Sequence, residues 1–241
     1  GGADALETLD GNVIRVVDQV GGGCVPGCDY NVQIAPIGSA TWHNVDLPGT
    51  YDRGSTTGVA LVRTGPRAFI EVFGHVSGGG SDATSLLYTS TNDGVNWTRH
   101  DEPCPQNSGY EVDSTAITAA ADGSVAVLCS PRGATSPDFT AVSSDGTAPF
   151  TPGGSLPANL RGERLLGAAS ANVQLIASFE ALYRTQDAGK TWQSVPAVPG
   201  GVEPRFIGFE SQTVGRVVVG TGESIWTTGD AGLTWTQHTF S

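Results

Sequence analysis

The sequence predicts an all-β fold of five repeats, each a four-stranded antiparallel sheet, and three observations carry that reading. An eight-residue pattern recurs, as T-Q-D-A-G-K-T-W at 185–192 and T-G-D-A-G-L-T-W at 228–235. A third copy, S-T-N-D-G-V-N-W at 90–97, keeps Ser90, Gly94 and Trp97 in register and puts Asn92 where the others have Asp187 and Asp230. Two weaker copies follow once the register is set: 143–150, with Ser143 and Asp145 in place and Phe150 for the tryptophan, and 35–42, which retains Thr41 and Trp42. The closing aromatics then fall at 42, 97, 150, 192 and 235, steps of roughly 42 to 55 residues, a period that signals propeller blades or solenoid repeats. Finally, the 241 residues include 34 Gly and 14 Pro. Glycine is at about twice its usual share of about 7%, which suits tight turns between short strands, and no stretch carries a helical period.

The elements follow in order from apolar runs bounded by turn residues. The first repeat (5–47) has strands at 5–9 and 12–18, divided by Asp10 and Gly11, then 30–35 and 42–46. The second (58–100) reads as 58–63, 68–73, 85–89 and 97–100. The third (113–152) has 114–120, 124–129, 139–143 and a poor fourth strand near Phe150. The fourth (164–196) gives 165–170, 173–178, 181–185 and 192–195, and the fifth (204–240) gives 205–209, 216–220, 224–227 and 235–239. Regular repeats favour a single domain over 1–241, closed by packing the fifth repeat on the first. An open array would expose sheet faces and predict oligomers, and a fragment of a larger propeller is a further reading. A monomer is expected.

The pattern S/T-x-D-x-G-x-x-W resembles the Asp box of the BNR-repeat families: sialidases, sortilin-type receptors, and photosystem II stability and assembly factors. The resemblance covers nearly the whole chain as a repeat. It implies a five-bladed β-propeller of four-stranded antiparallel blades with Asp-box hairpins, each joining the third and fourth strands of its blade on the face opposite the usual ligand site. The physics of the box is local. Asp187, Asp230, Asn92 and Asp145 can accept hydrogen bonds from nearby backbone donors, as can the hydroxyls of Ser90, Ser143, Thr185 and Thr228. Gly94, Gly189 and Gly232 can take positive φ at little steric cost. Trp97, Trp192 and Trp235 then pack between adjacent sheets. These residues read as structural, so no box aspartate is nominated as an acid catalyst, and no catalytic residue is assigned.

Charge and cysteine usage bound the function. The formal charge is −12, and the 12 basic residues, eleven of them Arg with Lys190 the one lysine, are scattered. That disfavours nucleic acid and anionic membrane as partners. No apolar run reaches 18 residues, so no membrane insertion is expected. The chain begins Gly1-Gly2 and contains no Met, which predicts a processed or trimmed mature region. Four cysteines suggest an oxidising compartment and allow three pairings. Cys24 and Cys28 flank a Val-Pro-Gly turn and are expected to close a small loop; metal binding is the rival, but C-x3-C lacks a second ligand pair at finger spacing. Cys104 and Cys129 would then form the second bridge, worth about 3 to 4 kcal/mol in the loop-entropy model. Secretion or cell-envelope association is the expected localisation, with no metal and no cofactor.

Long connections at 47–57, 101–112 and 151–163, a shorter one at 196–203, and long second-to-third loops in repeats one to three place the elaborated loops opposite the boxes. The candidate ligand-binding residues on them are Tyr51, Asp52, Arg53, His75, Tyr110, Glu111 and Arg132, with Tyr30, His100 and Asp101 nearby. A sialidase-like chemistry would need converging arginines, a nucleophilic Tyr beside a Glu, and an acid/base Asp. Tyr110-Glu111 and Asp52-Arg53 supply such types. The family's F-R-I-P motif is missing, however, and the nearest string, P-R-F-I at 204–207, has the wrong order and stands in the last repeat. Zincin, nucleophile-elbow, P-loop and EF-hand motifs are also missing. The expected function is therefore a non-catalytic extracellular binding or scaffolding propeller that recognises a protein or glycan through the loop face of repeats one to three, with a sialidase-like glycoside hydrolase or lyase with a pocket on the same face as the alternative.

Overall fold

The computed structural model describes residues 3–18, 30–48, 58–76, 83–100, 102–106, 111–132, 136–158, 160, 163–196, 198, 203–220 and 224–239. The chain divides into two compact units, Gly1–Pro103 and Cys104–Ser241. The first unit holds two antiparallel four-stranded sheets. One runs β1 (Ala3–Thr8), β2 (Asn12–Asp18), β3 (Tyr30–Pro36), β4 (His43–Val45), and the other β5 (Gly58–Thr64), β6 (Arg67–Val76), β7 (Ala83–Ser90), β8 (Thr98–His100). In both the spatial order is the chain order, and each strand runs antiparallel to its neighbour. Alternation sends Ile14, Val16 and Val32 to one side of the first sheet. There they form a single buried cluster with Ile70, Val72, Tyr88 and Trp97 of the second. Each such side chain contributes about 1.5 to 3 kcal/mol through burial.

The second unit holds three sheets of the same plan. They are β9 (Val112–Ala119), β10 (Val125–Pro131), β11 (Phe139–Ser143), β12 (Thr151–Ser155); β13 (Leu165–Ala168), β14 (Gln174–Ala177), β15 (Leu182–Arg184), β16 (Gln193–Ser194); and β17 (Pro204–Phe209), β18 (Gly215–Val219), β19 (Ser224–Thr228), β20 (Thr236–Thr239). Ala126, Leu128, Leu156, Leu160, Leu166 and Ile176 fill the space between the first two of these sheets, and Leu175, Leu182, Val195, Ile207, Val217 and Val219 that between the last two. The all-β class and five four-stranded antiparallel blades expected from the sequence are the observed architecture.

The turns at 90–97, 185–192 and 228–235 share one hydrogen-bond plan. The Thr185 hydroxyl donates to Asp187 Oδ1 (2.7 Å) and accepts from Gly189 N (3.1 Å); Asp187 accepts from Thr191 N (2.9 Å) and Thr191 Oγ1 (2.7 Å); Trp192 Nε1 donates to Gly189 O (3.1 Å). The same contacts recur at Thr228, Asp230, Gly232, Thr234 and Trp235. At the first of the three turns, Asn92 Oδ1 takes the aspartate's place and accepts from Asn96 N at 2.9 Å. Each glycine is required twice over. Gly94, Gly189 and Gly232 have φ of 81°, 81° and 83°, and a Cβ on them would lie 2.2 Å from Ile14 Cδ1, 2.3 Å from Thr140 Oγ1 and 3.0 Å from Leu175 Cδ2, all in the preceding sheet. The residues just before them, Asp93, Ala188 and Ala231, also have positive φ (61°, 58°, 59°), a conformation that costs an L-residue about 1 to 2 kcal/mol.

The two weaker copies are different turns. At 35–42 a plain turn forms, with Ser39 N donating to Pro36 O (2.9 Å) and Gly38 at φ 83°, while Trp42 stacks under the Arg15 guanidinium, 4.1 Å from ring centroid to carbon. At 143–150 the loop spans the same eight residues between paired strand ends, but its glycine comes one residue earlier. Gly146 N still reaches Ser143 Oγ (3.0 Å), and Asp145 Oδ1 accepts from Thr147 N (2.8 Å) and Ala148 N (2.7 Å). The poor fourth strand expected near Phe150 is β12, on T-P-G-G-S, which starts directly after Phe150 as the other fourth strands start directly after their tryptophans. Its glycines explain the weak signal. A Cβ on Gly154 would sit 2.4 Å from Lys190 O, and Gly154 N donates to Gly189 O at 2.9 Å. This strand is held by close backbone approach to the next sheet's turn, not by side chains.

Within each unit, neighbouring sheets are also tied at their turn ends, by a different device at each junction. Asp93 reaches back to the β1–β2 turn, accepting from Asp10 N (3.0 Å), Gly11 N (2.9 Å) and Asn12 Nδ2 (2.9 Å). Asp122, in the β9–β10 turn, reaches forward to Ala171 N (2.9 Å) while Ser124 holds its other oxygen. Arg184 Nε donates to Ala231 O (2.7 Å).

Candidate functional site

At the end of the second unit away from its turns, charged side chains collect at the start of β9 and the end of β10. Glu111 and Asp113 are two residues apart in an E-V-D string that opens a strand, a spacing that puts them on the same face. Arg132, just past β10, lies opposite them because its backbone N donates to Glu111 O at 2.8 Å. Its guanidinium then bridges both carboxylates: Nη1 is 3.4 Å from Glu111 Oε2, while Nε (2.9 Å) and Nη2 (2.7 Å) both donate to Asp113 Oδ2. All three side chains are partly exposed, so the cluster presents a fixed charge pattern to solvent and its net stabilisation is small.

Two further arginines at this end are paired in the same way. Arg164, just before β13, pairs with Asp138 ahead of β11 and donates to Ser130 Oγ at 3.4 Å. Burial lowers its guanidinium pKa below the usual value. Arg205 pairs with Glu203 at 2.9 Å and donates from Nε to Gly220 O at 3.3 Å. The disulfide Cys104–Cys129 anchors the approach to β9, with a Cα–Cα distance of 5.8 Å and both residues buried. Gln106 extends that anchor: its side-chain amide donates to Cys104 O (3.0 Å) and Val112 O (2.8 Å) and accepts from Val112 N (3.2 Å).

Of the candidates read from the sequence, the structure brings together Glu111 and Arg132. His75 lies on β6 opposite Thr84. Tyr51, Asp52, Arg53 and Tyr110 lie outside the described residues, as do Cys24 and Cys28. Asp113, Asp138 and Arg164 were not singled out by the sequence reading. The strand alternation of E-V-D was a usable signal for Asp113. Nothing local marks Asp138 and Arg164, which meet across 26 residues. Among the described residues no helix is long and apolar enough to cross a membrane.

Sheets of four strands in meander order, with tryptophan-bearing turns packed on the preceding sheet, define a β-propeller, here with five blades. Solved structures narrow the class. The chain is similar to YCF48 from Cyanidioschyzon merolae (14% identity, TM-score 0.58, covering 94% of this chain and 66% of that one). It is similar also to the GH74 xyloglucanase from Xanthomonas campestris (15%, 0.63, 98% and 37%) and to Trypanosoma rangeli sialidase (14%, 0.55, 94% and 46%). At these identities the likeness is one of fold, and the chain spans 37 to 66% of the length of these proteins. No protein-family model matches the chain, and no curated protein matches it.

Proposed function

We propose that this chain is a non-catalytic binding or scaffolding propeller that recognises a protein or glycan through the blade ends opposite its turns. Glu111 and Arg132 are contacts in this reading, and Tyr51, Asp52, Arg53, His75 and Tyr110 are further candidates. The observation that carries the reading is the pairing of Arg132, Arg164 and Arg205 with carboxylates of the chain itself. Charges paired within the chain and held on rigid strands make a fixed recognition pattern. The repeated turns are read as Asp boxes, with Ser90, Asn92, Thr185, Asp187, Thr228 and Asp230 in structural roles. The Cys104–Cys129 bridge supports an extracytoplasmic setting, and a monomer is proposed.

The alternative is a glycoside hydrolase or lyase, since the sialidase and the xyloglucanase share the fold. A panel of sialoside, glucan and uronide substrates separates the two. The binding reading expects no turnover with any of them. Turnover abolished by Tyr110→Phe or Glu111→Gln overturns it.

A further inference from the structure

The first unit contains a groove that no part of the loop-side reading uses. It lies between the outer edge of the first sheet and the turn at 90–97, with a volume of roughly 500 Å3, within the range of ligand-sized sites. Ile34, Val45, Leu47 and Trp97 form its apolar floor, and Asn44, Asp46 and Asn96 stand at its rim.

The equivalent crevices of the second unit are filled. Leu156 and Leu160 pack with Trp192, and Val195 and Val198 with Trp235, and these four aliphatic residues are 5 to 8% exposed. At the first of those junctions Gly154 N also bonds to Gly189 O across the crevice. In the first unit Val45 and Leu47, which pack with Trp97, stay half-buried, and Val95 at the lip is 55% exposed. Trp97 is held from below by its bond to Gly94 O (2.9 Å), so the floor is rigid.

Two features identify the occupant. β4 is the outermost strand of its sheet, so the outward-facing backbone groups of His43–Val45 can pair with an added extended chain. The one ionisable group lining the groove is the exposed carboxylate of Asp46, which selects a cation. Asn44 Oδ1 already accepts from Gln33 Nε2 (2.9 Å), which leaves its Nδ2 hydrogens to donate. We propose that this groove docks an extended peptide of a partner protein. The peptide lays an apolar side chain over Val45 and Leu47 against Trp97, runs along the edge of β4, and sets a neighbouring Lys or Arg on Asp46.

The test uses the full chain, labelled with 15N, and octapeptides of Ser and Thr that carry one central Leu flanked by Lys, Glu or Ala. The expected result is that the Lys-flanked peptide shifts the Trp97 indole and the Asn44 and Val95 amides, and binds more tightly than the Ala-flanked and Glu-flanked ones. Val95→Arg, at an exposed position, should weaken binding by at least about tenfold while leaving the other indole resonances in place. Asp46→Lys should weaken it by about threefold to tenfold and turn the preference towards the Glu-flanked peptide. The proposal is overturned if no peptide shifts these resonances, if the flanking charge makes no difference, if both variants bind as the parent does, or if an oligosaccharide panel perturbs the groove and the peptides do not.

Discussion

The junction between the first and second sheets and that between the third and fourth use the same turn, yet one is open and the other closed. In both, a turn glycine with φ 81° presses on the preceding sheet, Gly94 on Ile14 and Gly189 on Thr140, and a tryptophan caps the contact. The difference lies in the outer strand of the preceding sheet. β12 brings two glycines close enough for backbone to meet backbone. β4 carries side chains instead and leaves a groove. The turn therefore sets where two sheets meet, and the composition of the neighbouring outer strand sets whether a ligand-sized space survives there.

The largest break of that comparison is Gly94→Ala. The new Cβ would lie 2.2 Å from Ile14 Cδ1, which is fully buried, in a backbone conformation that L-residues disfavour. A loss of about 2 to 5 kcal/mol is expected in urea unfolding, the sum of left-handed strain and overpacking. Gly154→Ala attacks the closed junction and should cost about 2 to 3 kcal/mol, because the atom it meets is a backbone oxygen at 2.4 Å. Gly229→Ala is the control. Nothing lies within 4 Å of its Cβ, so its unfolding free energy should stay level or rise by up to about 1 kcal/mol.

Asp93→Ala is a smaller change and should cost about 1 to 2 kcal/mol, since it removes three hydrogen bonds that tie the first two sheets together at a partly exposed site. Asp122→Ala should cost less, because one bond, to Ala171 N, crosses its junction.

Acid provides the gentlest probe. The Thr191 N–H and hydroxyl hold Asp187 down at about 2, and the Thr234 hydroxyl and N–H do the same for Asp230. A depressed folded pKa gives stability that is fully present above the ordinary value near 3.8 and is lost as pH falls towards about 2. Unfolding midpoints should therefore drop across that window. The double variant Asp187→Asn with Asp230→Asn should flatten the drop without unmaking the turns, because Asn92 already performs the same acceptor role at 90–97.

What the sequence made legible follows from what is local. The turns at 90–97, 185–192 and 228–235 were readable because hydroxyl, carboxylate or amide, glycine and indole all bond within eight residues. The Cys104–Cys129 bridge was readable from its place beside two strands. β12 was hard to place because a strand made of Thr, Pro, Gly and Ser carries no apolar alternation and is held by a neighbour's backbone. Asp93 looked like part of a turn, since the partners of its carboxylate are more than 80 residues away. Separation along the chain also hides the groove, whose floor joins residues near 45 to Trp97. In the second unit, Glu111 and Arg132 were identifiable by type and loop position, while Asp113, the other partner of Arg132, needed the register of β9 on β10.

Lys190 is the one lysine in the chain. It sits exposed in the turn whose backbone closes on Gly154. Once the α-amino terminus is blocked, an amine-directed fluorophore on that side chain would mark one turn, 36 residues along the chain from the glycine it abuts but in contact with it in space. Its emission would report the opening of that seam in real time without an engineered cysteine, which the native disulfide would complicate.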